Sequence, residues 1–207
     1  MNAKRKEHLE ALIKHDQAYW AQGIQIAGVD EVGRGPLAGC VMAACVVMPQ
    51  HPLVDWVDDS KSLSPGRREA VYEEILEKAL FVGIGRAEPD EIDAMNIRQA
   101  TRLAMRRAAA GCPADLMIVD AEKQVGFSVQ EHAILKGDAT SYSIAAASII
   151  AKVVRDREMI ELSARYPAYG FEENKGYGTA KHMEALRAYG PCPMHRLSFL
   201  SRLRSQG

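Results

Sequence analysis

Leu9, Leu12, Ile13, Tyr19 and Trp20 stand at helix-like spacing among charged residues, which predicts an amphipathic helix over 4–20. Two apolar runs follow, Gln25 to Val29 and Leu37 to Met48. They read as strands joined by a glycine-rich turn. Ser64-Pro65 pairs a capping hydroxyl with a first-turn proline and opens a helix to about Leu80. Leu80 to Arg86 reads as a third strand. Asn96 caps a helix to Ala110, which Gly111 and Pro113 end. Leu116 to Val119 and Ala133 to Leu135 are short strands. Ser141 or Ser143 starts a long helix to about Tyr166, and its small residues from Ala145 to Ser148 suit close packing on a sheet.

Strands first, then helix, strand, strand and helix, imply an α/β fold: a mixed β-sheet flanked by helices. The organisation expected is an N-terminal helical extension, 1–23, ahead of one domain over 24–207. With 47% hydrophobic and 26% charged residues, the chain of 207 carries enough apolar material for a core, which excludes disorder. The longest uncharged run, Gly35 to Val54, holds three prolines, a Gln and a His, and its apolar part is too short to span a membrane. Lys4-Arg5-Lys6 is followed by acids rather than an apolar segment, so no signal peptide is expected. Four cysteines without Cys-x-x-Cys spacing fit free thiols in a reducing cytoplasm. Cys192-Pro-Met-His195 is half a zinc motif with no second half.

The net charge of −1 does not mark a nucleic-acid binder. From Lys175 onward, however, six Lys/Arg face only Glu184, a candidate phosphate-facing tail or a solvated surface. The acids say more. Asp30-Glu31, Asp120 and Asp138 each stand just past an apolar strand, where ligands gather in such sheets. Any one of them is equally a turn former or helix cap. Brought together without cations, they would repel unless they held a metal, and oxygen-only ligands select Mg²⁺ or Mn²⁺. Adjacent strand residues face opposite ways, so Asp30 and Glu31 share a site only if the strand ends there and the Gly33–Gly35 turn swings Glu31 round. A dinucleotide-binding loop fails here. Its third glycine would be one place late, its acids would face pyrophosphate, and strand-like residues follow where a helix should start.

Ala27-Gly-Val-Asp-Glu-Val-Gly-Arg-Gly-Pro-Leu-Ala-Gly39 resembles the signature of ribonuclease HII. Asp59-Ser-Lys-Ser-Leu63, Lys136-Gly-Asp138, Ala145-Ala-Ala-Ser-Ile-Ile-Ala-Lys152, Arg155-Asp156, Lys175-Gly-Tyr177 and His195-Arg-Leu-Ser-Phe199 follow in that family's order. The resemblance covers about residues 24–200. It implies a ribonuclease-H-like fold over 24–207 and Mn²⁺- or Mg²⁺-dependent hydrolysis of RNA in RNA–DNA hybrids. It also implies incision at single ribonucleotides in duplex DNA by a cytoplasmic enzyme, with a monomer the default. By position it makes Asp30, Glu31, Asp120 and Asp138 catalytic, the first three as metal ligands. Gly33, Arg34 and Gly35 become the loop that feels the 2′-hydroxyl, and Tyr177 the ring that stacks on the junction sugar. Lys61 and Lys136 become phosphate contacts. Three positions depart from the pattern: Ala121 stands where glycine is frequent, Gly178 where proline is, and Leu197 where a basic residue is. Asp156, between Arg155 and Arg157, is expected in a structural ion pair. A ribonuclease HIII-type enzyme and a non-catalytic hybrid binder are the alternatives; Gly33-Arg34-Gly35 with Tyr177 argues against the first, the full acid set against the second.

Overall fold

The computed structural model of the chain describes residues 3–204, the side chains of 202–204 excepted. The elements in order are α1 (Ala3–Trp20), β1 (Ile26–Val32), β2 (Val41–Val47), α2 (Pro65–Lys78), β3 (Phe81–Ala87), α3 (Pro89–Met95), α4 (Ile97–Ala108), β4 (Leu116–Asp120) and β5 (Gln130–Ile134). After a 3₁₀ turn at Gly137–Ala139 come α5 (Tyr142–Arg165), α6 (Phe171–Asn174), α7 (Ala180–Tyr189) and α8 (Leu197–Arg204). The sheet order is β3-β2-β1-β4-β5. The first three strands pair antiparallel and the last three parallel, so the expected mixed sheet is present.

Local chemistry sets the ends of the helices. Ser64 Oγ accepts from Arg67 N at 3.4 Å with Pro65 behind it. Asn96 accepts from the backbone of Arg98 and Gln99. Of the two candidate serines, Ser141 caps α5, accepting from Ile144 N at 3.3 Å. All seven residues of β2 are buried, as a central strand covered on both faces requires. Leu12, Ile26, Val46, Ile75, Ile118 and Ile144 belong to the core under α1, α2 and α5. Ala27, Val29, Ala43, Ala104 and Met105 belong to the core under α4. A smaller cluster of Met159, Leu162, Tyr169 and Phe171 anchors the C-terminal helices to α5. Helix α1 packs into the first core, and its buried Asp16 accepts from Ser143 N at 2.7 Å at the start of α5.

Three expectations need correction. The second strand begins at Val41, not Leu37. Gly39 adopts φ +85°, and Leu37 N and Gly39 N donate to Gly176 O and Met194 O, so this stretch binds the C-terminal segment rather than β1. The first strand runs to Val32 and contains Asp30 and Glu31 instead of ending before them. The basic tail does not form a phosphate-facing surface as a unit. Arg196 is fully buried, Lys181 pairs with Glu173 at 3.1 Å, and the side chains of Arg202 and Arg204 lie outside those described.

Candidate active site

Strands β1 and β4 lie side by side and parallel at the centre of the sheet, so their carboxyl ends open on the same edge. A cavity of about 290 Å³ sits there, lined by Asp30, Glu31, Asp120, Asp138, Ser60, Lys61, Ser148, Lys152 and Tyr177 among others. Four acids from three separate stretches of the chain therefore face one space. Side-chain alternation sends Asp30 toward α5 and Glu31 toward the other face. Both still reach the cavity because it lies over the end of the sheet, where the two faces meet. No glycine turn has to swing Glu31 round.

Each acid is held differently. Asp30 is buried; its Oδ1 accepts from Glu31 N at 2.8 Å, and Ser148 hydrogen-bonds its side chain. Ser148 Oγ in turn lies 3.0 Å from Ser60 Oγ, a hydroxyl pair linking the Asp59–Leu63 loop to α5. Asp120 Oδ1 accepts from Gly137 N at 2.6 Å, which ties β4 to the turn carrying Asp138. Asp138 Oδ2 lies 3.8 Å from Lys61 Nζ. Glu31 Oε1 accepts a long bond, 3.4 Å, from Arg34 Nη1, while its Oε2 is buried with no partner.

Electrostatics reflects this crowding. Burial, then the charges of Glu31 and Asp120, push the Asp30 carboxyl well above the usual carboxylate range. Burial also raises Glu31, against the lowering pull of Arg34, and raises Asp120, against its bond from Gly137 N. Desolvated like charges with one orphaned oxygen are costly unless a cation joins them. An all-oxygen donor set suits a hard divalent ion such as Mg²⁺ or Mn²⁺, so these residues fit the expected metal chemistry. Among the described residues no three His, Cys, Asp or Glu side chains close into an ion cage. The four acids instead line an open cavity.

Gly33 and Gly35 differ in what they require. Gly33 has φ +88°, and a Cβ there would meet Arg155 Nε at 2.3 Å; a Cβ at Gly35 would meet only the Tyr177 ring edge at 3.4 Å. Arg34 is partly exposed and points back to Glu31 and Glu122, the latter at 3.9 Å. Tyr177 is half exposed on the rim. Lys61 lines the cavity, whereas Lys136 is exposed in a left-handed turn and is not among the lining residues. Asp156 is ion-paired as expected, but to Lys152 at 2.7 Å and Arg68 at 3.9 Å rather than to its neighbouring arginines.

Two arginines quoted in the sequence motifs have roles that sequence reasoning missed. Arg196 donates to the carbonyls of Gly33, Arg34, Pro36, Gly39 and Cys40 at 2.6–3.1 Å. Arg155 donates to Ala38, Cys40 and Lys175 carbonyls at 3.1–3.3 Å. Five fixed N–H donors suit this clamp as an ammonium would not. Burial, reinforced by Arg155, pulls Arg196 down to about 10. Together they fix the Gly33–Cys40 loop beside the acids. With Asp156 and Arg157 after Arg155 and His195 before Arg196, the neighbouring residues gave no sign of burial, which becomes visible only with the fold.

A model of the ribonuclease HII family matches residues 27–202. The chain is 55% identical over 194 residues to ribonuclease HII of Syntrophobacter fumaroxidans, covering 92% of this chain and 83% of that one. It is 46% identical to that of Acetivibrio thermocellus, covering 93% and 76%. Among solved structures, ribonuclease H2 of Pyrococcus horikoshii superposes with a TM-score of 0.72 at 27% identity, covering 84% of this chain and 93% of that one. Ribonuclease HII of Archaeoglobus fulgidus, solved as a complex with PCNA, gives 0.72 at 26%, covering 84% and 94%. A Bst ribonuclease HIII solved with Mn²⁺ shares the fold, with a TM-score of 0.63 at 20% identity, covering 84% and 67%. The chain belongs to the ribonuclease HII family and is a ribonuclease H, an endonuclease acting on the RNA of RNA–DNA hybrids.

Proposed function

We propose that the cavity at the ends of β1 and β4 is the catalytic site, and that it also incises duplex DNA at single ribonucleotides, leaving 5′-phosphate and 3′-hydroxyl ends. The observation that carries this reading is the convergence of Asp30, Glu31, Asp120 and Asp138 on one cavity, with Glu31 Oε2 buried and unpartnered. Asp30, Glu31 and Asp120 would hold the metal, and Asp138, which lines the same cavity, would act beside them. A bound pair of Mg²⁺ or Mn²⁺ ions supplies charge that lowers the pKa of water and neutralises the leaving oxygen.

The chain's own residues do the rest. Ser148 and Ser60 fix the Asp30 carboxylate, and Gly137 N fixes Asp120, so the acids need little reorganisation. The clamped Gly33–Arg34–Gly35 loop brings backbone within reach of a 2′-hydroxyl, the group that separates RNA from DNA. Tyr177 offers a half-exposed ring opposite Gly35 on which a sugar can stack. Lys61 stands on the same rim and gives a phosphate contact, and Lys136 gives a more peripheral one. Retention of this loop and ring favours single-ribonucleotide recognition over the HIII-type reading. Four free cysteines suit a cytoplasmic enzyme.

The test is substitution of the acids one at a time. Asp30→Asn and Asp120→Asn should each lower cleavage of a uniform RNA–DNA hybrid by on the order of 10³ or more, with the circular dichroism spectrum unchanged. Near-normal turnover in either variant removes that residue from the site.

A further inference from the structure

Behind Tyr177 lie two histidines that the proposed chemistry does not use. Thr179 caps α7, accepting from His182 N, and so sets His182 in the first turn of that helix. His182 Nδ1 lies 2.8 Å from Tyr177 O, and His182 Nε2 lies 3.0 Å from His195 Nε2. His195 Nδ1 lies 3.0 Å from Cys192 N. Both imidazoles are buried, His182 fully, against the rings of Tyr169 and Phe171.

His195 Nδ1 also lies 3.2 Å from Cys192 O, so these contacts allow two neutral proton arrangements, of which one makes three hydrogen bonds. A carbonyl only accepts, so His182 must carry its proton on Nδ1 to bond Tyr177 O. Its Nε2 is then an acceptor, and His195 must donate from its own Nε2. His195 Nδ1 is left unprotonated and accepts from Cys192 N–H. The reverse arrangement would let His195 Nδ1 donate to Cys192 O, which already accepts from His195 N, but it would lose the bond from Cys192 N–H and aim a lone pair at the Tyr177 carbonyl. Hydrogen bonds therefore run one way, from Cys192 N–H through both rings to Tyr177 O. That carbonyl also accepts from Thr179 N at 2.8 Å. On the other side, the preceding glycine is stitched to the active-site loop: Gly176 O accepts from Leu37 N at 2.8 Å.

We infer that the His195–His182 relay is a latch on the Tyr177 backbone, which makes His182 a positioning residue for recognition of the ribonucleotide. The inference rests on the reading of Tyr177 given above. It concerns discrimination rather than bond cleavage, because neither ring lines the cavity.

Isosteres separate positioning from packing. Asn reproduces the Nδ1 donor of histidine and Gln reproduces its Nε2 position. His182→Asn keeps the bond to Tyr177 O and loses the one to His195; His182→Gln does the reverse. The readout is the ratio of incision at a single ribonucleotide to cleavage of uniform hybrid, with kcat and KM measured separately. His182→Gln should lower the ratio about tenfold, as expected for one lost hydrogen bond to a positioned group. His182→Asn should stay within about twofold of the parent. Equal ratios for the two variants overturn the inference. Tyr177→Ala is measured alongside: an unchanged ratio there removes Tyr177 from recognition and the latch's purpose with it. A changed ratio there, with His182→Gln normal, overturns the latch alone. Nitrogen-15 spectra of the imidazoles in the parent protein give a check that needs no variant. They should show His182 protonated at Nδ1 and His195 at Nε2, and the opposite tautomers refute the relay.

Discussion

Gly28 sits two residues before Asp30 on the face of β1 that α5 covers. A Cβ built there would lie 2.1 Å from Ser143 C, 2.2 Å from Ser143 O and 2.4 Å from Ile144 N. All three are backbone atoms, so no side chain can swing aside. Ordinary contact begins near 3.4 Å, so Gly28→Ala forces α5 and β1 apart by roughly 1.3 Å at this point. The same helix carries Ser148, which hydrogen-bonds Asp30, and it begins just after the turn that carries Asp138. The expected loss is ~1–3 kcal/mol of stability from overpacking. Activity should fall about 10²-fold, the scale of an ångström's misplacement at reacting groups. Gly83→Ala is the control. Its Cβ would meet Ala108 O at 2.0 Å, an equally hard clash, but on the seam between α4 and the edge strand β3. Denaturant melts and steady-state cleavage of uniform hybrid should show both variants destabilised, with turnover per folded molecule lost only in Gly28→Ala. Equal loss of turnover in the two, or a Gly28→Ala enzyme with parental midpoint and kcat, would refute the reasoning.

Arg196→Met would leave buried carbonyls of the Gly33–Cys40 loop without donors and should cost at least ~3 kcal/mol. Arg196→Lys, which keeps the charge and loses the fork, should not restore it in urea melts. Ala121 adopts φ +50° right after Asp120, so Ala121→Gly should raise stability by about 1 kcal/mol; a lowered melting temperature contradicts this. Burial, then the neighbouring His182, pulls His195 down to about 4. Between that value and the ~6.5 of an unfolded histidine, the unfolded chain binds more protons. Stability from this group is therefore full above about pH 6.5 and is lost as pH falls toward 4, by ~3 kcal/mol at most. Urea midpoints of the parent and His195→Gln, compared across that range, should converge at acid pH; parallel curves would exclude the effect. The raised Asp30, Glu31 and Asp120 carboxyls act with the opposite sign, destabilising as pH rises through the unfolded carboxylate range. Mn²⁺ should accordingly raise the melting temperature more at pH 7 than at pH 5.

Much of this was legible in the chain because local rules set it. The Ser64, Asn96 and Ser141 caps, the buried β2 run and the small-residue start of α5 each appear where their chemistry demands. The extension of β1 through Asp30 and Glu31 was not, since carboxylates are poor strand formers and only pairing with Ala44 and Ala43 holds them extended. α3 and the helices after Tyr166 escaped notice because they are short and the segments around them are rich in Gly and Pro. At the site, the four acids were marked by their position after apolar runs. Arg155 and Arg196 were not, because their partners are backbone atoms far away in sequence, nor was the His182–His195 pair, whose two rings meet only once the chain turns back after α7. The frequent glycine at position 121 has its explanation here in a left-handed backbone, whereas nothing in the structure explains the basic residue frequent at the position of Leu197.

The most direct test of the central claim uses a labelled DNA duplex carrying one ribonucleotide, an all-DNA control and a uniform RNA–DNA hybrid. Each is incubated with Mg²⁺, Mn²⁺ or EDTA. The account predicts metal-dependent incision 5′ to the ribonucleotide, cleavage of the hybrid, an intact control and silence in EDTA. Cleavage of the hybrid alone, or incision that persists in EDTA, would contradict it.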